Sequence, residues 1–146
     1  MGGSVFYYND GGRVLAGYRG KARDCATRAI AIATELPYEV VYQALVAEAA
    51  AEPAGTRRSH PRTGLRKATV KRFLKRIGWL WTPTMHIGSG CTVHLHPAEL
   101  PKGRLIVAVS KHLCAVIDGV VHDTHDCSRG GRRCVYGFWQ RASSGR

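Results

Sequence analysis

The stretch Asp24-Cys25-Ala26-Thr27-Arg28-Ala29-Ile30-Ala31-Ile32-Ala33-Thr34 constrains this chain more than any other. Asp24 has the chemistry of an N-cap, since a carboxylate can accept from the free N–H groups of a first helical turn. The helix expected behind it has almost no polar face. Only Thr27, Arg28 and Thr34 interrupt its small and branched apolar side chains. A helix apolar nearly all round is a buried one, so the rest of the chain must wrap it. Cys25 then opens a central helix, where the helix dipole favours a thiolate. That is the position a cysteine nucleophile requires. The same residue also reads as a small buried hydrophobe behind a cap, because free cysteine is among the most buried residue types.

The surrounding pattern is helices first and strands after. Val5–Tyr8 and Arg13–Tyr18 read as short strands around the turn Asn9-Asp10-Gly11-Gly12, whose residues tolerate positive φ. Pro37 suits a first helical position. It is followed by Val40, Val41, Ala44 and Leu45 at helical spacing, with Glu39, Gln43 and Glu48 marking the outer side as far as Ala51. Residues 52–66 form a loop rich in Pro, Gly, Ser, Thr and Arg, long enough to be flexible or functional. A third helix is expected over Thr69–Trp79, with Val70, Phe73, Leu74 and Ile77 at i, i+3, i+4 and i+7 and Gly78 near its stop.

From Trp79 onward the period changes to two. Leu80-Trp81-Thr82 reads as a short strand and residues 86–102 as a loop. Arg104–Val109, Leu113–Ile117 and Val120–Thr124 carry the clearest β signal, with Asp118-Gly119 a strong hairpin turn. Residues 126–132 are a Gly- and Arg-rich loop, Cys134–Gln140 a last strand and 141–146 a frayed tail. The expected architecture is a single α+β domain over residues 1–146, with the N-terminal helices packed on a C-terminal antiparallel sheet.

Composition bounds the function classes. Hydrophobic residues make up 45% of the 146, enough for one real core and too many for a disordered chain. There is no apolar run long enough to span a membrane and no secretory signal pattern at the start. A formal charge of +12 predicts attraction to polyanions, whether nucleic acid, acidic proteins or anionic envelope polymers. Five cysteines without a short disulfide framework fit a reducing cytoplasm with at least one free thiol.

The hairpin carries further chemistry. With a two-residue turn at Asp118-Gly119, Val116 faces Val121 and Cys114 faces Asp123. Alternation then puts His112, Cys114, Val116, Val121 and Asp123 on one face. His112 and Asp123 become diagonal neighbours, about 7 Å apart at the backbone and within side-chain reach. A carboxylate there can fix the tautomer of the imidazole and stabilise its charged form. His122 points to the opposite face. The plainer alternative is a half-buried histidine beside a surface aspartate, but a charged pair on an otherwise apolar face wants a reason.

The order of a helix-opening Cys, a His on a strand and an Asp on the next strand resembles papain-like cysteine peptidases. The segments that carry the resemblance are Asp24-Cys25, Ser110-Lys111-His112-Leu113-Cys114-Ala115-Val116 and Val121-His122-Asp123. The layout is most similar to compact members, such as leader-peptide-processing peptidases and cell-wall endopeptidases. Gly103-Arg104-Leu105-Ile106-Val107 and Gly130-Gly131-Arg132-Arg133-Cys134-Val135-Tyr136-Gly137 resemble small phage and prophage proteins of this type. The resemblance spans about Asp24 to Trp139.

It implies a papain-like fold and a cysteine-dependent hydrolase of amide or peptide bonds that works through a thioester. Cys25 would attack, His112 would move the proton and Asp123 would orient His112. The backbone N–H of Cys25 would supply half of an oxyanion hole. The family places Gln six residues before its nucleophile. That position is Arg19 here, so Arg19, Tyr18 and Asn9 are the candidates for the second donor. The resemblance implies no cofactor, a protein or peptide substrate, and a setting in the cytoplasm (a host's, if phage encoded) or on a virion.

Three alternatives accompany this reading. One is a catalytically inactive papain-like scaffold serving as a virion or host-interaction protein, which Arg19 keeps open. A second is zinc binding through Cys91, His94, His96, His125, Cys127 and Cys134, although paired CxxC or HxxxH spacing is missing. The third is nucleic-acid binding through the basic helix face of Lys67, Lys71, Arg72, Lys75 and Arg76, with Arg57, Arg58, Arg62, Arg129, Arg132 and Arg133 adding loop charge.

Overall fold

The structure is a computed structural model that describes residues 5–55 and 57–142. Its elements in chain order are β1 (Phe6–Tyr8), α1 (Cys25–Thr34), α2 (Tyr38–Ala50), α3 (Lys67–Arg76), β2 (Trp79–Pro83), β3 (Arg104–Val109), β4 (His112–Ile117), β5 (Val120–Asp123) and β6 (Gly137–Arg141). Of the frayed tail expected over 141–146, Arg141 is instead the last residue of β6, and 143–146 lie outside the described residues.

The six strands form one sheet in the order β1-β5-β4-β3-β6-β2. Four of the five pairings are antiparallel, but β1 runs parallel to β5, with Phe6 opposite Val121 and Tyr8 opposite Asp123. The sheet is therefore mixed rather than antiparallel throughout, in an α+β fold.

The expected N-terminal hairpin does not form. Asn9 Oδ1 accepts from the Gly11 N–H at 2.8 Å, and the Asp10 carboxylate accepts from Gly12 at 2.9 Å and Val14 at 3.1 Å. These side-chain-to-backbone bonds wind residues 11–17 into turns instead of returning them as a strand. Tyr8 continues onto β5, with the Asn9 N–H donating to the Asp123 carbonyl at 2.9 Å.

Helix α1 is buried almost throughout, as its composition requires. Ile30 is completely covered, and burying such a side chain contributes about 1.5–3 kcal/mol. One core joins α1 to Val41 and Leu45 of α2, Val70, Phe73 and Leu74 of α3, and Ile106, Ala115 and Trp139 of the sheet. The alternate strand residues Leu105, Val107, Val109, Cys114, Val116 and Phe138 face the other way, where loop residues Leu95, Leu100, Cys127 and Val135 cover them. This second layer, built without regular secondary structure, is what the sequence pattern left out.

Two more expectations need correction. Glu48, expected on the outer side of α2, is 4% exposed because Arg72 and Arg76 of α3 close over it in ion pairs. The last strand begins at Gly137 rather than Cys134. Residues 133–135 pair instead with the 93–95 loop, and Cys134 is bonded to Cys91 in a disulfide where no framework was expected. Cys25, Cys114 and Cys127 are free. No helix among the described residues is long and apolar enough to cross a membrane.

Candidate active site

Cys25 is the first residue of α1 and is half-buried. Asp24 precedes it but does not cap the helix with its side chain. Its carboxylate, 2% exposed, is held by Arg28 one turn on, by Arg13 Nε at 3.1 Å and by the Tyr38 hydroxyl at 2.7 Å. A buried carboxylate with cationic partners leaves the first-turn N–H groups to other acceptors, so the N-cap expectation is corrected. The outcome still fixes the start of α1, because Asp24 ties it to α2 through Tyr38.

His112 opens β4, and its Nε2 stands 2.6 Å from Oδ2 of Asp123 at the end of β5. The hairpin register that brings them together pairs Val116 with Val121 and Ala115 with His122, across a turn with φ of 49° at Asp118 and 83° at Gly119. Oδ1 of Asp123 accepts from the Thr124 N–H at 2.7 Å and faces Arg28 Nη2 at 3.4 Å. One guanidinium from the first turn of α1 therefore serves both Asp24 and Asp123.

Cys25, His112 and Leu113 line one cleft. Burial pushes the Cys25 thiol up. The His112 hydrogen bond, the Leu113 N–H and the charges of His112 and Arg28 outweigh it, and the thiol ends below its ordinary value. Burial also works against charge on His112, but the bonds to Asp123, Cys127 and Cys25 raise it from 6.5 to about 11. Asp123 is held below the usual carboxylate range, since its bond to His112 and that ring's charge overcome burial. All three shifts run toward a thiolate–imidazolium pair backed by a carboxylate. With Nε2 committed to Asp123, Nδ1 is the nitrogen left to exchange a proton with a thiol.

A cleft of about 580 Å³ opens at Cys25 and His112. Its walls come from α1, α3, the Trp81 and Trp139 strands, and Pro61, Thr63, Gly64 and Leu65 of the 52–66 loop. That loop is fastened where it meets the cleft: Thr27 Oγ1 donates to the Pro61 carbonyl at 2.9 Å, and the Arg23 N–H to the Arg62 carbonyl at 2.7 Å. The Gly- and Arg-rich 126–132 loop does not line the cleft. It packs Cys127 against His112 and Cys114 in the second core.

The three oxyanion candidates lie elsewhere. The Tyr18 hydroxyl donates to Glu39 at 2.6 Å. The Asn9 amide lies 3.4 Å from His122 Nδ1, beside a separate hollow lined by Ile32, Glu35 and Arg104. Arg19 is exposed and offers its carbonyl to Arg13 and Arg62. None of the three lines the cleft.

The zinc candidates fall in two places. Cys91 and Cys134 are bonded to each other. His94 lies 3.6 Å from Cys91 Sγ and 3.1 Å from Glu99, and His96 Nδ1 accepts from the Ala98 N–H. Far along the chain, His125 and Cys127 sit against the His112 ring. His112, Asp123 and His125 have donor atoms within 4.8 Å of one another and could hold a metal. The 2.6 Å His112–Asp123 contact is a hydrogen bond, however. Two zinc ligands at about 2.0–2.2 Å from a shared ion sit about 3 Å or more apart, so the pair would have to separate.

The basic face of α3 is likewise divided. Arg72 and Arg76 are paired with Glu48, Lys75 is exposed, and Lys67 and Lys71 border the cleft.

Arg28, Arg13 and Tyr38 were not candidates in the sequence, and Cys127 was one only as a zinc ligand. Arg28 had a signal, as the one cation in an apolar helix. Nothing in the sequence marked Cys127 as a neighbour of His112, because it sits in an aperiodic loop. Comparison of the chain with family models, with curated proteins and with solved structures finds no match.

Proposed function

We propose that the protein is a papain-like, cysteine-dependent hydrolase of amide bonds, with Cys25 as nucleophile, His112 as the proton-moving group and Asp123 as its orienting partner. The observation that carries this reading is that one cleft is lined by Cys25 and by a histidine whose Nε2 is held by a buried carboxylate. These are a nucleophile, a base within reach and a third group that orients the base.

The chemistry balances without a cofactor. The Cys25 thiolate attacks the amide carbonyl carbon and an S–C bond forms. The C–N bond breaks as imidazolium His112 gives its proton to the departing amine. A water then loses its proton to His112 and attacks the thioester carbon. The S–C bond breaks, a carboxylic acid leaves, and the thiolate–imidazolium pair is restored. In this reading the Cys25 backbone N–H, at the start of α1, stabilises the oxyanion. Arg28 positions Asp123 rather than touching substrate.

The test is a pooled library of acyl-peptide coumarin amides presented to the wild-type chain and to Cys25→Ala. Release of coumarin by the wild type alone, with an acyl adduct on Cys25 by mass spectrometry, is the expected result. Equal release by both proteins, or none by either, overturns the proposal.

A further inference from the structure

The cleft has one sign of charge. Arg23, Lys67, Lys71 and Lys111 line it and no Asp or Glu does. These four cations come from three separate parts of the chain: the segment before α1, one face of α3 at i and i+4, and the β3–β4 turn. Among the described residues none of them is in an ion pair. Arg72 and Arg76 of α3 are matched, lying 2.5 Å and 3.0 Å from the buried Glu48 carboxylate, while Lys75 is exposed to solvent away from the cleft. Helix α3 thus neutralises the cations it turns toward α2 and leaves unmatched those it turns toward the cleft. Gathering like charges without counterions around one hollow costs self-repulsion, which an anionic occupant relieves.

Lys111 adds a second, independent observation. It sits at φ 56° in the two-residue turn between Val109 and His112, a left-handed conformation that favours Gly or Asn. The tight turn requires this conformation, and it sets Lys111 on the cleft lining next to His112 in the chain.

The walls between the cations are apolar. Leu65, Val70 and Trp139 line the cleft with Trp81 and Tyr136, which are each 38% exposed. The Trp81 and Trp139 rings lie 5.2 Å apart. A volume of about 580 Å³ is in the range of a concave ligand site and suits a short extended peptide.

We infer that the substrate is an acidic peptide, with an apolar side chain seated on Leu65, Trp81 and Trp139 and flanking Asp or Glu side chains received by Arg23, Lys67, Lys71 and Lys111. As a statement about substrate, this rests on the reading of Cys25 as a nucleophile. The carbonyl that a thiolate attacks belongs to a peptide, and a concave apolar cleft favours a side chain over a phosphodiester backbone. Single-stranded nucleic acid is accordingly the competitor in the test.

The full-length Cys25→Ala protein, which cannot turn substrate over, is titrated into short fluorescein-labelled peptides. Each has a central Leu flanked on both sides by Glu, Gln or Lys, and binding is read by fluorescence anisotropy. The expected result is that the Glu peptide binds about tenfold more tightly than the Gln peptide, and that raising NaCl to about 0.3 M removes most of this advantage. The Lys peptide should not saturate. Adding Lys67→Glu and Lys71→Glu should abolish the preference. If that variant does not fold, Arg23→Glu with Lys111→Glu, on other segments, gives the same reading.

Equal affinities, a preference that survives charge reversal in a folded variant, or displacement of the Glu peptide by an equally charged oligodeoxynucleotide at lower concentration would each overturn the inference. Alkylation of Cys25 in the wild type separates the two proposals. A reactive Cys25 without a Glu preference removes the substrate class and keeps the hydrolase. An inert Cys25 with the preference intact removes the hydrolase, and the claim about substrate with it.

Discussion

Oδ2 of Asp123 accepts a hydrogen bond from Nε2 of His112 across 2.6 Å, from a carboxylate only 3% exposed. The pairing sets the charge of both groups. His112 has a folded value of about 11 against an ordinary 6.5, so the stability it contributes is complete below pH 6.5 and is lost as pH rises toward 11. Asp123 is lowered, so its contribution is present above its ordinary 3.8 and is lost as pH falls through the folded value. The stability difference between wild type and Asp123→Ala should therefore be largest between about pH 4 and 6.5 and shrink on either side. Urea titrations across that range measure it. Turnover of the substituted protein should fall about 10²-fold or more, since the imidazole loses its orienting partner.

Arg28 joins α1 to the hairpin by facing two buried carboxylates, Asp24 and Asp123. Arg28→Met would take one cation from each, leaving Arg13 on Asp24 and His112 on Asp123. Breaking a buried ion pair from one side costs about 3–5 kcal/mol, and the loss should sit near the lower end here because a second partner remains at each carboxylate. Arg28→Lys should recover part of the stability but not all, because a single ammonium cannot match a fork that reaches two acids. Chemical denaturation of the two variants provides the comparison.

The Cys91–Cys134 disulfide closes a loop with a sequence separation of 43 and holds the irregular cover over the second face of the sheet. A crosslink of this span is worth about 2–4 kcal/mol. Cys91→Ser, or reduction of the wild type, should lower the thermal midpoint. Cys25 alkylation should change little, because the cleft is built on the other core. Melting curves with and without reductant, with Cys25→Ser as the control, test this.

Gly137 is where β6 passes beneath Trp81. A Cβ there would run into the Trp81 ring and lie 2.8 Å from the Thr82 carbonyl oxygen. Gly137→Ala should push the Trp81 ring out of place and spoil one wall of the cleft. The expected signature is a rise in KM for peptide substrates of about tenfold with the Cys25 alkylation rate unchanged, which separates a binding defect from a catalytic one.

Much of the fold was legible because its signals are periodic. The apolar run from Ala26 to Ala33, the i, i+3, i+4 spacing of Val70, Phe73 and Leu74, and alternation from Arg104 to Asp123 each reflect a face that had to be buried. Asp118-Gly119 was legible because a tight turn needs two positive φ angles, and both are there. Local signals failed where the decision was made at long range. Asn9-Asp10-Gly11-Gly12 fits a hairpin and a winding turn equally well, and the partner of β1 lies more than a hundred residues on. Glu48 looks like a surface residue until α3 brings Arg72 and Arg76 to it.

The site shows the same division. Cys25 could be placed by the apolar run it opens, and His112 and Asp123 by strand alternation; Cys25 and His112 line one cleft and Asp123 is bonded to His112. The carboxylate of Asp24 was assigned to capping because its cations, Arg13 and Arg28, declare themselves only in the folded chain.

The most direct measurement of the central claim is the rate at which iodoacetamide modifies Cys25 at pH 6.5, resolved by peptide mass spectrometry, in wild type and in His112→Ala. An ordinary thiol at pH 6.5 is about 1% ionised. The account predicts that Cys25 reacts at least about tenfold faster than an ordinary thiol, faster than Cys114 and Cys127, and that His112→Ala removes the advantage. A Cys25 that reacts no faster than a free thiol, or a rate indifferent to His112, would contradict it.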